Sequence, residues 1–209
     1  MTEDTYLVPD LKAGEFHRTE LIIKKSRFIT SIAHTKGVEE CKNFISAVSS
    51  EFSDARHNCF AYNGSKPGES GYAGCSDDGE PHGTAGHPML NVLLHSEVGE
   101  LTAVVTRYFG GILLGTGGLV KAYQDSVKQC LDSLKTTPMV LTVKMKVSLN
   151  PKFVGSFMRM LGEYGGGIEE QGFDTSYFFI MSLPESSEEA FCGRLNDLTA
   201  GTAEILKPN

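Results

Sequence analysis

Apolar and polar positions along this chain follow two periods, and the clearest run of them lies after residue 138. Val140-Leu141-Thr142-Val143-Lys144-Met145-Lys146-Val147 alternates as a strand does, and Asn150-Pro151 then offers an N-cap followed by proline at the first helical position. Phe153, Phe157, Met160, Leu161 and Tyr164 recur at three- and four-residue steps, which predicts an amphipathic helix ended by Gly165-Gly166-Gly167. Ile168 to Phe173 and Ser176 to Leu183 read as two strands joined by a tight turn, the second rich in aromatic and β-branched residues. Ser186 and Glu189 have capping-box spacing ahead of a helical face of Phe191, Leu195 and Leu198, and Ala203 to Leu206 makes a last short strand. The predicted order βαββαβ is the split βαβ arrangement of ferredoxin-like domains, a topology that hosts many functions and selects none.

Before that run the pattern is α+β. Leu21 to Lys24 and Arg27 to His34 predict a hairpin around Lys25-Ser26, and Val38, Cys41, Phe44, Ile45, Val48 and Phe52 share one helical face. Further strands are predicted at His57 to Tyr62 and Leu101 to Phe109, with a helix inside Ala85 to Glu97 and another over Gly118 to Lys135. Thr136-Thr137-Pro138 marks the break, since proline cannot continue a helix and disfavours helical geometry in the residue before it. The expected domains are therefore 1–137 and 138–209, the second ferredoxin-like.

Composition narrows the picture by exclusion. With 40% hydrophobic and 22% charged residues in 209, the chain has ordinary globular usage, which rules out a disordered, collagenous or disulfide-framework protein. No stretch reaches the roughly 18 consecutive apolar residues of a membrane span, and Met1-Thr2-Glu3-Asp4 carries acid where a signal peptide carries base. Five cysteines, an odd number without a CxxC pair, point to reduced thiols, and a cytoplasmic protein with no membrane partner is expected. The net charge of -7 weighs against loose coating of nucleic acid and leaves room for a local basic site. All six histidines precede the break, so chemistry is assigned to the first domain.

Three segments there stand out. Arg107-Tyr108-Phe109-Gly110-Gly111-Ile112-Leu113-Leu114-Gly115-Thr116-Gly117-Gly118-Leu119 runs from a strand end into a helix start. Its glycines either permit tight strand-to-helix packing or let a phosphate reach unpaired helix N–H groups, with Arg107 as a guanidinium grip. It matches neither a P-loop nor a dinucleotide fingerprint. In Cys75-Ser76-Asp77-Asp78-Gly79-Glu80-Pro81-His82-Gly83-Thr84-Ala85-Gly86-His87-Pro88, the carboxylates either hold magnesium or act as a base beside His82, or else the loop is a turn whose Thr84 caps the next helix. His57, Cys59, Cys75, His82 and His87 lack the short paired spacing of a zinc site, so no metal and no cofactor are expected. Lys24-Lys25-Ser26-Arg27-Phe28 sets three cations beside an aromatic ring, which suits either a nucleic-acid backbone or a solvated hairpin tip.

In these segments the sequence resembles the IMPACT family, in particular its bacterial YigZ-type members. The resemblance rests on Lys25-Ser26-Arg27-Phe28, His57, Ala61-Tyr62, Asp78-Gly79-Glu80-Pro81, Thr84-Ala85-Gly86 and Thr106-Arg107-Tyr108-Phe109-Gly110-Gly111, followed by Leu114-Gly115-Thr116-Gly117-Gly118-Leu119 and Ala122-Tyr123. It implies a first domain with the α+β fold of domain IV of elongation factor G, shared with sugar and mevalonate kinases, and a second domain resembling domain V of that factor. It also implies a translation-associated regulator that binds RNA, the ribosome or a protein partner. On that view Lys25, Ser26, Arg27, His57, Asp78, Glu80, Thr84, Gly86, Arg107, Phe109, Gly110, Gly111, Gly115, Thr116, Gly117 and Gly118 form a binding site, and no residue is catalytic. The alternatives are a phosphate-dependent enzyme working through Asp78 and Glu80, and a module that only contacts proteins.

Overall fold

The computed structural model describes residues 5–173 and 175–207. The acidic start Met1-Thr2-Glu3-Asp4, and Asp174 within the turn expected between the two strands, lie outside the described residues. The fold is α+β, and the chain divides into two compact units, one from Tyr6 to Met139 and the other from Val140 onward together with Thr5.

β1 (Thr5–Pro9) and β7 (Thr136–Val140), all but Thr5 and Val140 of which lie in the first unit, pair in a two-stranded ribbon. The main sheet is built from β2 (His17–Ile23), β3 (Ser26–His34), β4 (His57–Asn63), β5 (Ala73–Ser76) and β6 (Leu101–Tyr108), in the order β2-β3-β6-β4-β5. Every pairing in it is antiparallel. Strand β6 sits at the centre and is buried from Leu101 to Arg107, which explains its unbroken apolar and small-residue run. Helices α2 (Gly86–Leu94) and α3 (Thr116–Asp132) share one core with one face of this sheet, through Met89 and Leu93, and through Leu119, Tyr123, Val127 and Cys130. Those positions recur every three or four residues, and they meet Phe28, Ile32, Cys59, Ala61, Ala103 and Val105, alternate positions of three strands. Helix α1 (Gly37–Glu51) lies over β4 and β6, burying Cys41 and Val48.

The second unit comprises β8 (Thr142–Leu149), a 3-10 turn at Pro151–Phe153, α4 (Val154–Glu163), β9 (Gly167–Phe173), β10 (Tyr177–Pro184), a second 3-10 turn at Glu185–Ser187, α5 (Glu188–Thr199) and β11 (Glu204–Leu206). Its sheet has the order β11-β8-β10-β9 with antiparallel pairings throughout. Met145, Val147, Phe179, Met181 and Leu183 point from the sheet into a core closed by Phe157, Leu161, Phe191 and Leu195. The Asn150 carboxamide accepts the Lys152 N–H at 3.1 Å, as the Asn-Pro step predicts.

Several local expectations give way to the structure. The run from Val140 is two strands rather than one, and Pro138 sits within β7, in a two-stranded ribbon where a missing ladder N–H is tolerated. The last helix, α5, starts at Glu188, out of the 3-10 turn Glu185–Ser187, and its N-cap Ser187 makes no side-chain cap bond. Thr84 does not cap α2 either: its hydroxyl donates back to the Pro81 carbonyl at 2.6 Å. Asp77 does that work from a distance, its carboxylate accepting the N–H groups of Gly83, Ala85 and Gly86 at 2.8, 3.0 and 2.8 Å.

Candidate functional site

The three segments meet at one end of the main sheet because of strand register. Arg27 pairs with Tyr108 and Phe28 with Arg107, while His57 lies opposite Arg107 from the other side. The turn before β3, the start of β4 and the loop after β6 are therefore neighbours. Lys24 and Lys25 form the two-residue turn, at φ 46° and 65°. Left-handed backbone at consecutive lysines is strained where Asn-Gly would be relaxed, and such strain of order 1–3 kcal/mol collects at functional sites. Gly110 packs directly on that turn: a Cβ there would stand 2.0 Å from the Lys25 carbonyl carbon, and its N–H donates to the buried Ser26 hydroxyl at 3.1 Å. Only glycine fits, so Ser26 and Gly110 fix the turn against the loop.

Beneath this surface lies a buried polar chain. Arg107 Nη1 donates to Glu80 Oε1 at 2.6 Å, and the Tyr123 hydroxyl donates to the same oxygen at 2.9 Å. The Cys59 thiol donates to the Asp77 carbonyl at 2.9 Å and to the Tyr123 oxygen at 3.3 Å. Burial pushes that thiol up to about 12, which makes it an inert structural group, and burial likewise raises Tyr123. The Arg107 guanidinium carbon lies 5.6 Å from the Phe28 ring centre and 5.7 Å from that of Phe109. Its Nε–H is buried and has no acceptor among the described residues.

The acidic loop is tied down group by group. Asp78 accepts the Asn58 N–H through its carboxylate at 2.6 Å, and its carbonyl accepts from His57 Nδ1 at 2.8 Å. Burial alone would raise the Asp77 carboxyl, yet the N–H groups it caps and His82 nearby hold it below the usual range. Asp78 and Glu80 have no partner in common. Among the described residues no three His, Cys, Asp or Glu side chains converge in a way that would hold a metal ion.

A groove of about 310 Å³ opens beside Arg107, lined by Asp54, Arg56, His57, Tyr108, Phe109 and Leu113. Asp54 is occupied by the Tyr108 hydroxyl at 2.8 Å. Phe109 is 56% exposed and Leu113 82%, unusual for side chains of this size. Arg27 is held by Glu20 in a forked pair at 2.9 and 3.0 Å, whereas Lys24, Lys25 and Arg56 are exposed and make no ion pair among the described residues. Helix α3 starts two residues past Leu114, its N-cap Gly115 at φ 75° and without a side-chain cap, so Thr116, Gly117 and Gly118 form a bare first turn free of acid. Helix starts of this kind accept anions.

The Impact N-terminal domain family matches residues 24–131, a span containing the lysine turn, the acidic loop and the glycine-rich segment. The IMPACT family member YigZ of Escherichia coli (strain K12) is 44% identical over 184 residues, 88% of this chain and 90% of the relative. The chain belongs to the IMPACT family. The IMPACT family member YvyE of Bacillus subtilis (strain 168) is 36% identical over 195 residues, 93% of this chain and 87% of the relative. A crystal structure described as that of a hypothetical protein has a TM-score of 0.73 at 40% identity, covering 99% of this chain and 98% of the other.

In this IMPACT family chain the structure brings Lys25, Ser26, Arg27, His57, Asp78, Arg107, Phe109 and Gly110 to one end of the sheet, and Gly111 and Gly115 to Gly118 follow in the same loop and helix start. Glu80, Thr84 and Gly86 face inward and are buried. Sequence reasoning missed Arg56, Asp54 and Leu113 in the groove wall and Tyr123 as the partner of Glu80. Arg56 stands alone in the sequence, and only its place just before β4 would have pointed to it.

Proposed function

We propose that this IMPACT family protein binds RNA through the sheet end of its first unit. Membership of the family supports a translation-related regulatory role. The observation that carries the RNA reading is a groove bearing the unpaired cation Arg56, the exposed ring of Phe109 and a buried Arg107 Nε–H with no acceptor, near the unpaired Lys24 and Lys25. A buried donor left open costs about 1–3 kcal/mol, and a phosphate oxygen beside Arg107 would relieve it once the Phe109 ring moves aside. Cations then follow the phosphates while a base stacks on Phe109.

The enzyme reading needs Asp78 and Glu80 to act together, and their separate hydrogen bonds give it no support. We also read the first unit as kin to domain IV of elongation factor G and the second as a ferredoxin-like domain. The βαββαβ order and the β11-β8-β10-β9 sheet support the second assignment.

Binding of a labelled single-stranded RNA tests the proposal, with ribosome cosedimentation at low salt as the second readout. Phe109→Ala is expected to weaken RNA binding by about 5- to 150-fold, the range for one lost base stack, without altering the fold. Unchanged affinity in a folded Phe109→Ala protein would overturn the stacking role.

A further inference from the structure

A second groove, of about 470 Å³, runs along α1 on the face of the main sheet away from α2 and α3. Its floor is Ala33, Ala47 and Val48, and its walls are Phe16 and Phe44, whose rings stand 6.4 Å apart and tilted by 43°. The two faces of the sheet are covered unequally. Two helices share the core of one face, while among the described residues the other carries only α1, over β4 and β6. Beside α1, toward β2, the Arg18 side chain takes the place of a helix: its Nε donates to Ser31 at 2.8 Å, and its guanidinium lies 4.4 Å from the Phe16 ring centre.

The rim of the groove is acidic. Glu51 is neutralised by the forked contact from Arg18 at 2.6 and 2.8 Å. Glu15 and Glu40 accept the backbone N–H groups of Lys12 and Lys36, at 3.0 and 2.8 Å, and make no ion pair among the described residues. That sign repels phosphate and favours lysine or arginine around an apolar anchor. The groove follows α1 from Glu40 to Glu51, about 16 Å of helix or three turns.

We propose that this groove docks an amphipathic helix of a partner protein, its apolar stripe seated on Ala33, Phe44 and Ala47 and its flanking lysines or arginines meeting Glu15 and Glu40. The partner helix fills the missing place beside α1 and completes the second helical layer of the sheet. This site is separate from the RNA groove and does not depend on it.

The test uses the full chain and two 14-residue helical peptides with the same leucine stripe, one carrying lysines and the other glutamates on its polar face. The lysine peptide is expected to bind at least tenfold more tightly than the glutamate peptide and to shift the methyl resonances of Ala33, Ala47 and Val48. Ala47→Arg, at an exposed position of α1, should keep the fold and weaken the lysine peptide at least tenfold. Equal binding of both peptides, methyl shifts elsewhere, or full affinity in Ala47→Arg would overturn the proposal. Concentration-dependent dimers of the free chain that Ala47→Arg abolishes would also overturn it, by making a second copy the occupant.

Discussion

The two grooves of the first unit are built from the same sheet and have opposite chemistry. One is cationic and aromatic, made of turns and loops at the sheet end, with strained lysines and an unsatisfied guanidinium N–H. The other is apolar with an acidic rim, made largely of one helix face and one strand, and its polar groups are mostly satisfied. If both proposals hold, the difference lets one small sheet separate an anion-binding end from a protein-binding face. It also bears on what a sequence reveals. The loop-built groove leaves marks, because left-handed turns, close backbone approaches and bare helix starts demand unusual runs of glycine and charge. The helix-built groove leaves none, since Phe44, Ala47 and Val48 fit the ordinary pattern of an amphipathic helix.

The largest expected effect lies under the cationic groove. Glu80→Ala removes the carboxylate paired with Arg107 and leaves a buried charge unpaired, so urea unfolding should show a loss of about 3–5 kcal/mol. A loss below about 1 kcal/mol would mean that Arg107 readily reaches solvent.

Next comes acid, at the His34 end of the apolar groove. Burial alone would raise the Glu100 carboxyl from its ordinary 4.5, but hydrogen bonds from His34, Tyr6 and Lys36 hold it down to about 2. A carboxyl lowered by folding stabilises fully above its unfolded pKa and loses that contribution as pH falls. Stability should therefore drop between about pH 4.5 and pH 2, by about 3 kcal/mol from this group. Glu100→Gln should flatten that part of the profile, and an unchanged profile would remove Glu100 as the cause.

Gly110→Ala should cost about 1–3 kcal/mol by overpacking against the lysine turn and weaken RNA binding with it. The smallest effect belongs to the other groove: Ala47→Arg should change stability by less than about 0.5 kcal/mol and leave RNA affinity untouched, which sharpens the separation of the two sites. Limited proteolysis near Met139-Val140 is expected to release two folded fragments, as two separate domains require.

The fold was legible where periodicity is long and regular. The stripes of α3, with Leu119, Tyr123, Val127 and Cys130, and of α4, with Phe157, Met160 and Leu161, lie where their spacing predicts. Strand β5 was not legible, since Ala73 to Ser76 is four small residues of intermediate burial, and neither was β1, which is held by its pairing with the distant β7. At the site, Lys25, Arg107 and Gly110 were found through their unusual runs. The inward turn of Glu80 was not, because the neighbour that fixes it, Tyr123, lies 43 residues away and reads as plain helix core.

The central claim, that the sheet end holds RNA by its backbone, is tested most directly by the salt dependence of single-stranded RNA affinity. With Lys24, Lys25 and Arg56 each meeting a phosphate, log K against log salt should have a slope of about -2, and Lys24→Ala with Lys25→Ala should reduce its size by about 1.4. A flat response, or an unchanged slope in that double variant, would contradict the account.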